Sequence, residues 1–268
     1  MNLDYPLHID AEGRWVHTWV RQSSIKTADM CMEKWRTDIF NVVSEPLKDA
    51  SELGTACHAA VEDLLNARID NQGEMSLSDM LTAFEHYWFD VVDDITVWNK
   101  FTAASGYEAG LSKLKNWHEE IYPHLNPVQV EHTFNVPLIE DEFRVVRLTG
   151  TVDLIEKDRC WDWKFPSRDY TKQAWEFHRW DVQSIAYAFA TGIPDFSYAV
   201  MHPKGASRMD LVRNEEHFSW LRQKVLALCK LIESNHRGPY PLNDNGWWCS
   251  DKWCENFARC KGATIGGT

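Results

Sequence analysis

Residues 150–165, GTVDLIEKDRCWDWKF, decide the reading of the fold. Apolar and polar side chains alternate on both sides of a charged break at Lys157-Asp158, the pattern of a β-hairpin. With those two residues as the whole turn, Glu156 faces Arg159, Ile155 faces Cys160, Leu154 faces Trp161, and Asp153 faces Asp162. Directly opposed Cβ atoms lie roughly 5 Å apart, so two carboxylates meet on one face. Lys164 shares that face with Asp162, whereas Val152, Leu154, Trp161 and Trp163 share the other. Like charges opposed in a sheet ask for a compensating cation, which a divalent metal would supply. The alternative is a surface hairpin with an ordinary polar face, and a different loop length would shift the register and part the two acids.

Before the hairpin, residues 23–41 predict a helix capped by Ser23 or Ser24 and carrying Cys31. A second helix is predicted over 51–68. There Gly54, His58 and Glu62 recur every four residues along one face, with Leu53, Val61, Leu64 and Leu65 available for packing. Glycine at the head of that row lets another backbone or a ligand approach closely. An unremarkable His58–Glu62 pair remains the alternative. Residues 76–95 and 105–122 read as a helical cover rich in acids and aromatics, with no chemistry visible in it. Strands over 128–139 and 143–148 lead into the hairpin. After it come a helix over 173–190, with Trp180, Gln183 and Tyr187 on one stripe, a strand over 196–201 buried behind the sheet, and a packing helix over 215–234. This order of elements gives an α/β core rather than a bundle.

At 268 residues, 44% hydrophobic and 25% charged, the chain can bury a full core. No apolar run approaches the ~20 residues that cross a bilayer. The N-terminus lacks the basic-then-apolar order of a secretion signal, so the expected location is intracellular, with the seven cysteines as thiols or metal ligands. The net charge of −12 opposes a nucleic-acid partner only on average. Residues 1–100 hold 18 acids against 8 bases, whereas residues 157–179 hold six bases against four acids.

Taken together, Gly54-x3-His58-x3-Glu62, Gly150-Thr-Val-Asp153, Asp162-Trp-Lys164 and Gln183-x3-Tyr187 resemble the RecB-like branch of the PD-(D/E)xK nuclease superfamily, over nearly the whole chain. The resemblance implies a restriction-endonuclease-like α/β core, a mixed central sheet flanked by helices. Within one compact domain overall, the chain is expected to hold an N-terminal helical part (1–125), a nuclease core (126–235) and a cysteine-rich tail (236–268) that packs back on the first helix. The resemblance also implies metal-dependent hydrolysis of phosphodiester bonds in DNA. His58, Asp153, Asp162 and the Trp163 carbonyl would hold Mg2+ or Mn2+, the single imidazole favouring Mn2+. Lys164 would orient or deprotonate a water, and Gln183 and Tyr187 would contact phosphate or hold Lys164. Glu62 would support His58, while Arg168, Lys172, Arg179 and Trp180 are candidates to steer or stack on a DNA strand.

A subset of this branch, the CRISPR-adaptation exonucleases and AddB subunits, is similar at both ends of the chain. It places one cysteine before the core and three after it around a [4Fe-4S] cluster. The matching residues are Cys31, Cys249, Cys254 and Cys260. The Cys254-x5-Cys260 spacing fits, whereas Cys249-x4-Cys254 is wider than the family's two intervening residues. Four cysteines also suit tetrahedral zinc. Cys57, Cys160 and Cys229 fall outside the pattern and read as core residues. Two other classes stay open: a non-catalytic DNA-binding subunit with this fold, and a redox-responsive iron–sulfur protein with a vestigial nuclease face.

Overall fold

A computed structural model of the chain describes residues 6–40, 46–70, 75–169, 171, 180–243, 245–246 and 248–265. In chain order the elements are β1 (Leu7–Ile9), β2 (Trp15–His17), α1 (Gln22–Met30), α2 (Met32–Ile39), α3 (Asp49–Ile69), α4 (Leu77–Val91) and α5 (Ala103–Glu120). Then follow β3 (Gln129–Glu140), β4 (Arg144–Ile155), β5 (Arg159–Lys164), α6 (Val182–Thr191), β6 (Asp195–His202), β7 (Gly205–Val212), α7 (Glu215–Ser234) and α8 (Phe257–Ile265). The fold is mixed α/β, with a mixed sheet and flanking helices. The chain divides into two units, residues 46–133 with 151–214, and residues 1–45 with 134–150 and 215–268.

The first of these units is built on the hairpin of β4 and β5. Leu154 pairs with Trp161 and Ile155 with Cys160, and the Glu156 N–H closes the two-residue turn on the Arg159 carbonyl at 2.8 Å. Beyond it β6 runs parallel to β5, and β7 antiparallel to β6. The strand expected behind the sheet instead lies in it, paired with β5, and β7 was not anticipated. One sheet face offers Leu154, Trp161, Trp163, Ala199 and Met201 to α3, α4 and α5. Trp163 lies edge-on to Trp117 of α5 at 5.6 Å. The other face carries Phe196 and Tyr198 toward α6, which Asp181 caps and Gly192 ends in the left-handed region (φ 72°). Of the predicted helix over 173–190, the described part runs from Val182 to Thr191. Residues 172–179 lie outside the described residues, and Trp180 precedes the cap rather than sharing a helical stripe with Gln183.

In the other unit β1 pairs antiparallel with β2, and β2 parallel with the first half of β4. The single helix expected over 23–41 is broken at Cys31, an extended residue (φ −160°, ψ 119°) between α1 and α2, and neither Ser23 nor Ser24 is its cap. Ser23, Ser24 and Thr27 are weak helix formers, and Thr27 Oγ1 donates back to the Ser23 carbonyl, a geometry that bends helices. The break re-aims α2, so that Trp35 is wholly buried against Trp19 and Tyr240. Glu33 pairs with Arg36 and accepts from the Tyr240 N–H, Lys34 pairs with Glu255, and Asn243 donates to the Met30 carbonyl. The C-terminal segment is therefore tied to α1 and α2. No helix among the described residues is long and apolar enough to cross a membrane.

Candidate active site

The hairpin register, carried one step past Leu154–Trp161, sets Asp153 opposite Asp162 on the face away from the tryptophans. Both are buried, at 7% and 2% exposure. Asp153 Oδ2 accepts from the Trp163 N–H at 2.7 Å. Asp162 is held from two sides, by Gln183 Nε2 and by Lys164 Nζ at 2.6 Å from Oδ2. Gln183 Nε2 also donates to the Tyr187 hydroxyl at 3.2 Å, and Tyr198 donates to Gln183 Oε1 at 3.4 Å. The i, i+4 pair on α6 is thus committed to Asp162, and through it to the position of Lys164.

Helix α3 supplies the facing wall. Its core stripe of Leu53, Val61, Leu64 and Leu65 is buried, which turns the Gly54–His58–Glu62 row toward a cleft of about 560 Å3. A Cβ added at Gly54 would meet nothing within 4 Å, so the cleft stays open there for an approaching chain. His58 Nδ1 stands 3.4 Å from Asp153 Oδ2. Glu62 lines the same cleft, and among the described residues it makes no direct hydrogen bond to His58. The third carboxylate comes from a residue that the motif reading missed, Glu131 of β3. Donor atoms of His58, Glu131 and Asp153 all lie within 4.8 Å of one another.

Glu131 sits at φ 48°, which no other non-glycine among the described residues shares. Strain of this kind costs on the order of 1–3 kcal/mol and collects at functional sites. Burial, then the carboxylates of Glu62 and Asp162, push the Glu131 carboxyl up to about 7. Burial and Asp162 likewise hold Asp153 well above the usual carboxylate range, against the pull of Lys164 and the Trp163 N–H. Burial lowers the His58 imidazole, which keeps it neutral and its lone pair available near neutral pH. Two carboxylates that resist ionising beside a neutral imidazole form a donor set that a divalent cation fits, and oxygen donors with one nitrogen suit Mg2+ or Mn2+.

This raised pKa has a consequence without metal. The fold favours protonated Glu131, so the associated stability is full below the ordinary carboxyl range and is lost as pH rises through about 7. In chelator, wild type should lose roughly 1–2 kcal/mol relative to Glu131→Gln between pH 5 and pH 8, once screening of this partly exposed group is allowed for. Urea midpoints at the two pH values measure this, and saturating Mn2+ should remove the slope.

Of the other predicted residues, Arg168 is exposed just after β5, Trp180 is half-buried, and Lys172 and Arg179 lie outside the described residues. In the second unit Cys31, Cys249, Cys254 and Cys260 line one small pocket. Burial raises the Cys254 and Cys260 thiols, and neighbouring cysteines add to it: Cys249 acts on both, and Cys31 on Cys260. Thiols that repel one another as thiolates are a donor set that a cationic centre would stabilise. Cys57, Cys160 and Cys229 are buried core residues.

Comparison with known proteins puts this geometry in a family. A search of curated proteins finds no match. Among solved structures, a Eubacterium rectale protein assigned as an exonuclease superposes with a TM-score of 0.54 at 11% identity, covering 86% of each chain, a likeness of fold. LHK-Exo in complex with dAMP is more distant, with a TM-score of 0.37 at 9% identity over 71% of this chain and 89% of that one. The sequence profile of the PD-(D/E)XK nuclease superfamily matches residues 20–261, with Asp153 and the Asp162-Trp163-Lys164 run inside the match. The chain belongs to the PD-(D/E)XK nuclease superfamily.

Proposed function

We propose that this protein is a metal-dependent DNA exonuclease of the RecB-like branch, acting in recombination, repair or processing of DNA. The convergence of His58, Glu131 and Asp153 beside Lys164 in one open cleft carries the reading. His58, Asp153, Glu131 and the Trp163 carbonyl would hold Mg2+ or Mn2+, with Asp162 beside them. Such an ion acidifies a bound water and neutralises phosphate charge. Lys164, steered by Asp162, donates to the phosphate oxygen on which charge develops and orients the attacking water. Gln183 and Tyr187 fix Asp162 and hence Lys164. Gly54 leaves room for the backbone of the strand being cut.

Free ends and single strands are the favoured substrate. The acidic α4 and α5 are the feature that would turn a continuous duplex away. Time courses on end-labelled linear DNA and closed single-stranded circles test this. Linear substrate should be consumed while circles persist, and equal rates on both would contradict it.

On the same reading Cys31, Cys249, Cys254 and Cys260 hold a [4Fe-4S] cluster, as in the CRISPR-adaptation and AddB nucleases, with zinc as the alternative centre. Their shared pocket supports this. The cluster joins α1 and α2 to the C-terminal segment and takes no part in hydrolysis. A closure of that loop length is worth about 5 kcal/mol on the chain-entropy scale, and measured values are commonly smaller. Cys254→Ala should therefore lose thermal stability and the brown absorbance near ~400 nm of anaerobically prepared protein. Colourless wild type, as stable as Cys254→Ala, would remove the cysteine site and leave the nuclease reading standing.

A further inference from the structure

We infer that Lys113, on α5, is a positioning residue that fixes the carbonyl of Phe165, the residue after Lys164, and so sets the geometry of the cleft. The inference rests on the cleft being the nuclease site. Lys113 is 1% exposed, among the largest wholly buried side chains. Among the described residues no carboxylate pairs with it. Its ammonium donates to the Phe165 carbonyl at 2.8 Å and lies 5.5 Å from the centre of the Phe101 ring. An ammonium buried on those terms is expensive, and an apolar side chain of similar volume there would cost the fold less. Stability does not explain it.

Its hydrogen bond lands where the sheet stops holding the chain. Pairing of β5 with β6 ends at Lys164 opposite Val200, so Phe165 has no ladder neighbour among the described residues, and Lys113 bonds its carbonyl instead. The residue just before Phe165 is Lys164. The ring of Phe165 itself lines the cleft and meets the His58 ring edge-on at 5.4 Å. Behind Lys113 the support continues to the start of the His58 helix, where Asp49 accepts from the N–H groups of Asn99, Lys100 and Phe101 at 3.0, 2.6 and 2.7 Å. Lys164 and His58 therefore depend on one hydrogen bond made by neither.

The test compares full-length wild type, Lys113→Met and Lys113→Arg. Lys113→Met should melt no lower than wild type, because it removes a buried, poorly paired charge. Its kcat for DNA should fall about tenfold or more with KM changed less than about twofold, since a displacement of an ångström is worth about a hundredfold. The His58 ring resonances of the metal-free protein should move, and Mn2+ should bind more weakly. Lys113→Arg, which keeps a donor, should recover part of kcat. Wild-type kcat and unmoved His58 resonances in Lys113→Met would overturn the inference. If Lys113→Met does not fold, Phe165→Ala interrupts the same route from the cleft side, and unchanged His58 resonances and kcat there would overturn it equally. If wild type does not cut DNA at all, the nuclease reading fails, and the His58 resonances still decide whether Lys113 positions the cleft.

Discussion

Replacing Asp153 with asparagine is expected to lower DNA cleavage by about a hundred- to a thousandfold while making the metal-free protein more stable. The two effects share a cause. Asp153 is buried beside Asp162 and near Glu131, and its carboxyl resists ionisation there. Asparagine keeps an oxygen for the Trp163 N–H and removes the like charge, which should be worth about 1 kcal/mol. It also removes a charged donor from the His58–Glu131–Asp153 set, and losing electrostatic support in the transition state costs about 100- to 1,000-fold for a single group. Lys164→Ala should match it in activity and oppose it in stability, because Asp162, at 2% exposure, loses its cation. Single-turnover rates and urea midpoints on the two variants separate these signs. A variant of either kind that cuts at the wild-type rate would contradict the roles assigned.

Replacing Gly110 with leucine is expected to cost about 3 kcal/mol. Gly106 and Gly110 let α5 lie against α4 with aromatic rings in place of side chains. A Cβ at Gly110 would fall 2.0 Å from the tip of the Phe84 ring, and one at Gly106 would fall 2.7 Å from the Trp88 ring. Both rings are wholly buried, and Phe84 is stacked on Tyr107 at 6.0 Å, so they have little room to retreat. Even alanine at 110 should destabilise, although glycine inside a helix ordinarily costs about 1 kcal/mol relative to alanine. Phe84→Leu should partly rescue Gly110→Ala, a coupling that independent sites do not show. Urea denaturation of the two single variants and the double variant measures it, and strict additivity would contradict the packing argument.

The hairpin was legible because two signals agreed, the period of two and a turn too short for any other register. Helices α3, α4, α5 and α7 were legible from apolar spacing. Two elements that the spacing did not show depend on distant partners. The first is the pair β1 and β2, three residues each, which exist through pairing with one another and with β4. The second is β7, whose polar sequence is held by β6. The break at Cys31 escaped notice because both flanking helices keep an apolar face in register with one longer helix. Glu131 escaped because it carries no motif: it is one acid in an alternating strand, and its left-handed backbone, which turns it into the cleft, leaves no mark in composition. Lys113 was read as part of an acidic cover without chemistry. A lysine at a core position of a helix was the available signal, since lysine is almost never fully buried without a reason.

On the proposed function, the cleft between α3 and the hairpin cuts DNA with a divalent metal. The most direct measurement is cleavage of end-labelled linear DNA by wild type and Asp153→Asn, each in Mn2+, in Mg2+ and in chelator, with Mn2+ binding titrated on the same samples. Wild type should cut with either metal and not in chelator, and Asp153→Asn should lose both Mn2+ binding and cleavage. Wild-type cleavage that persists in chelator, or Asp153→Asn that cuts and binds Mn2+ as wild type does, would contradict it.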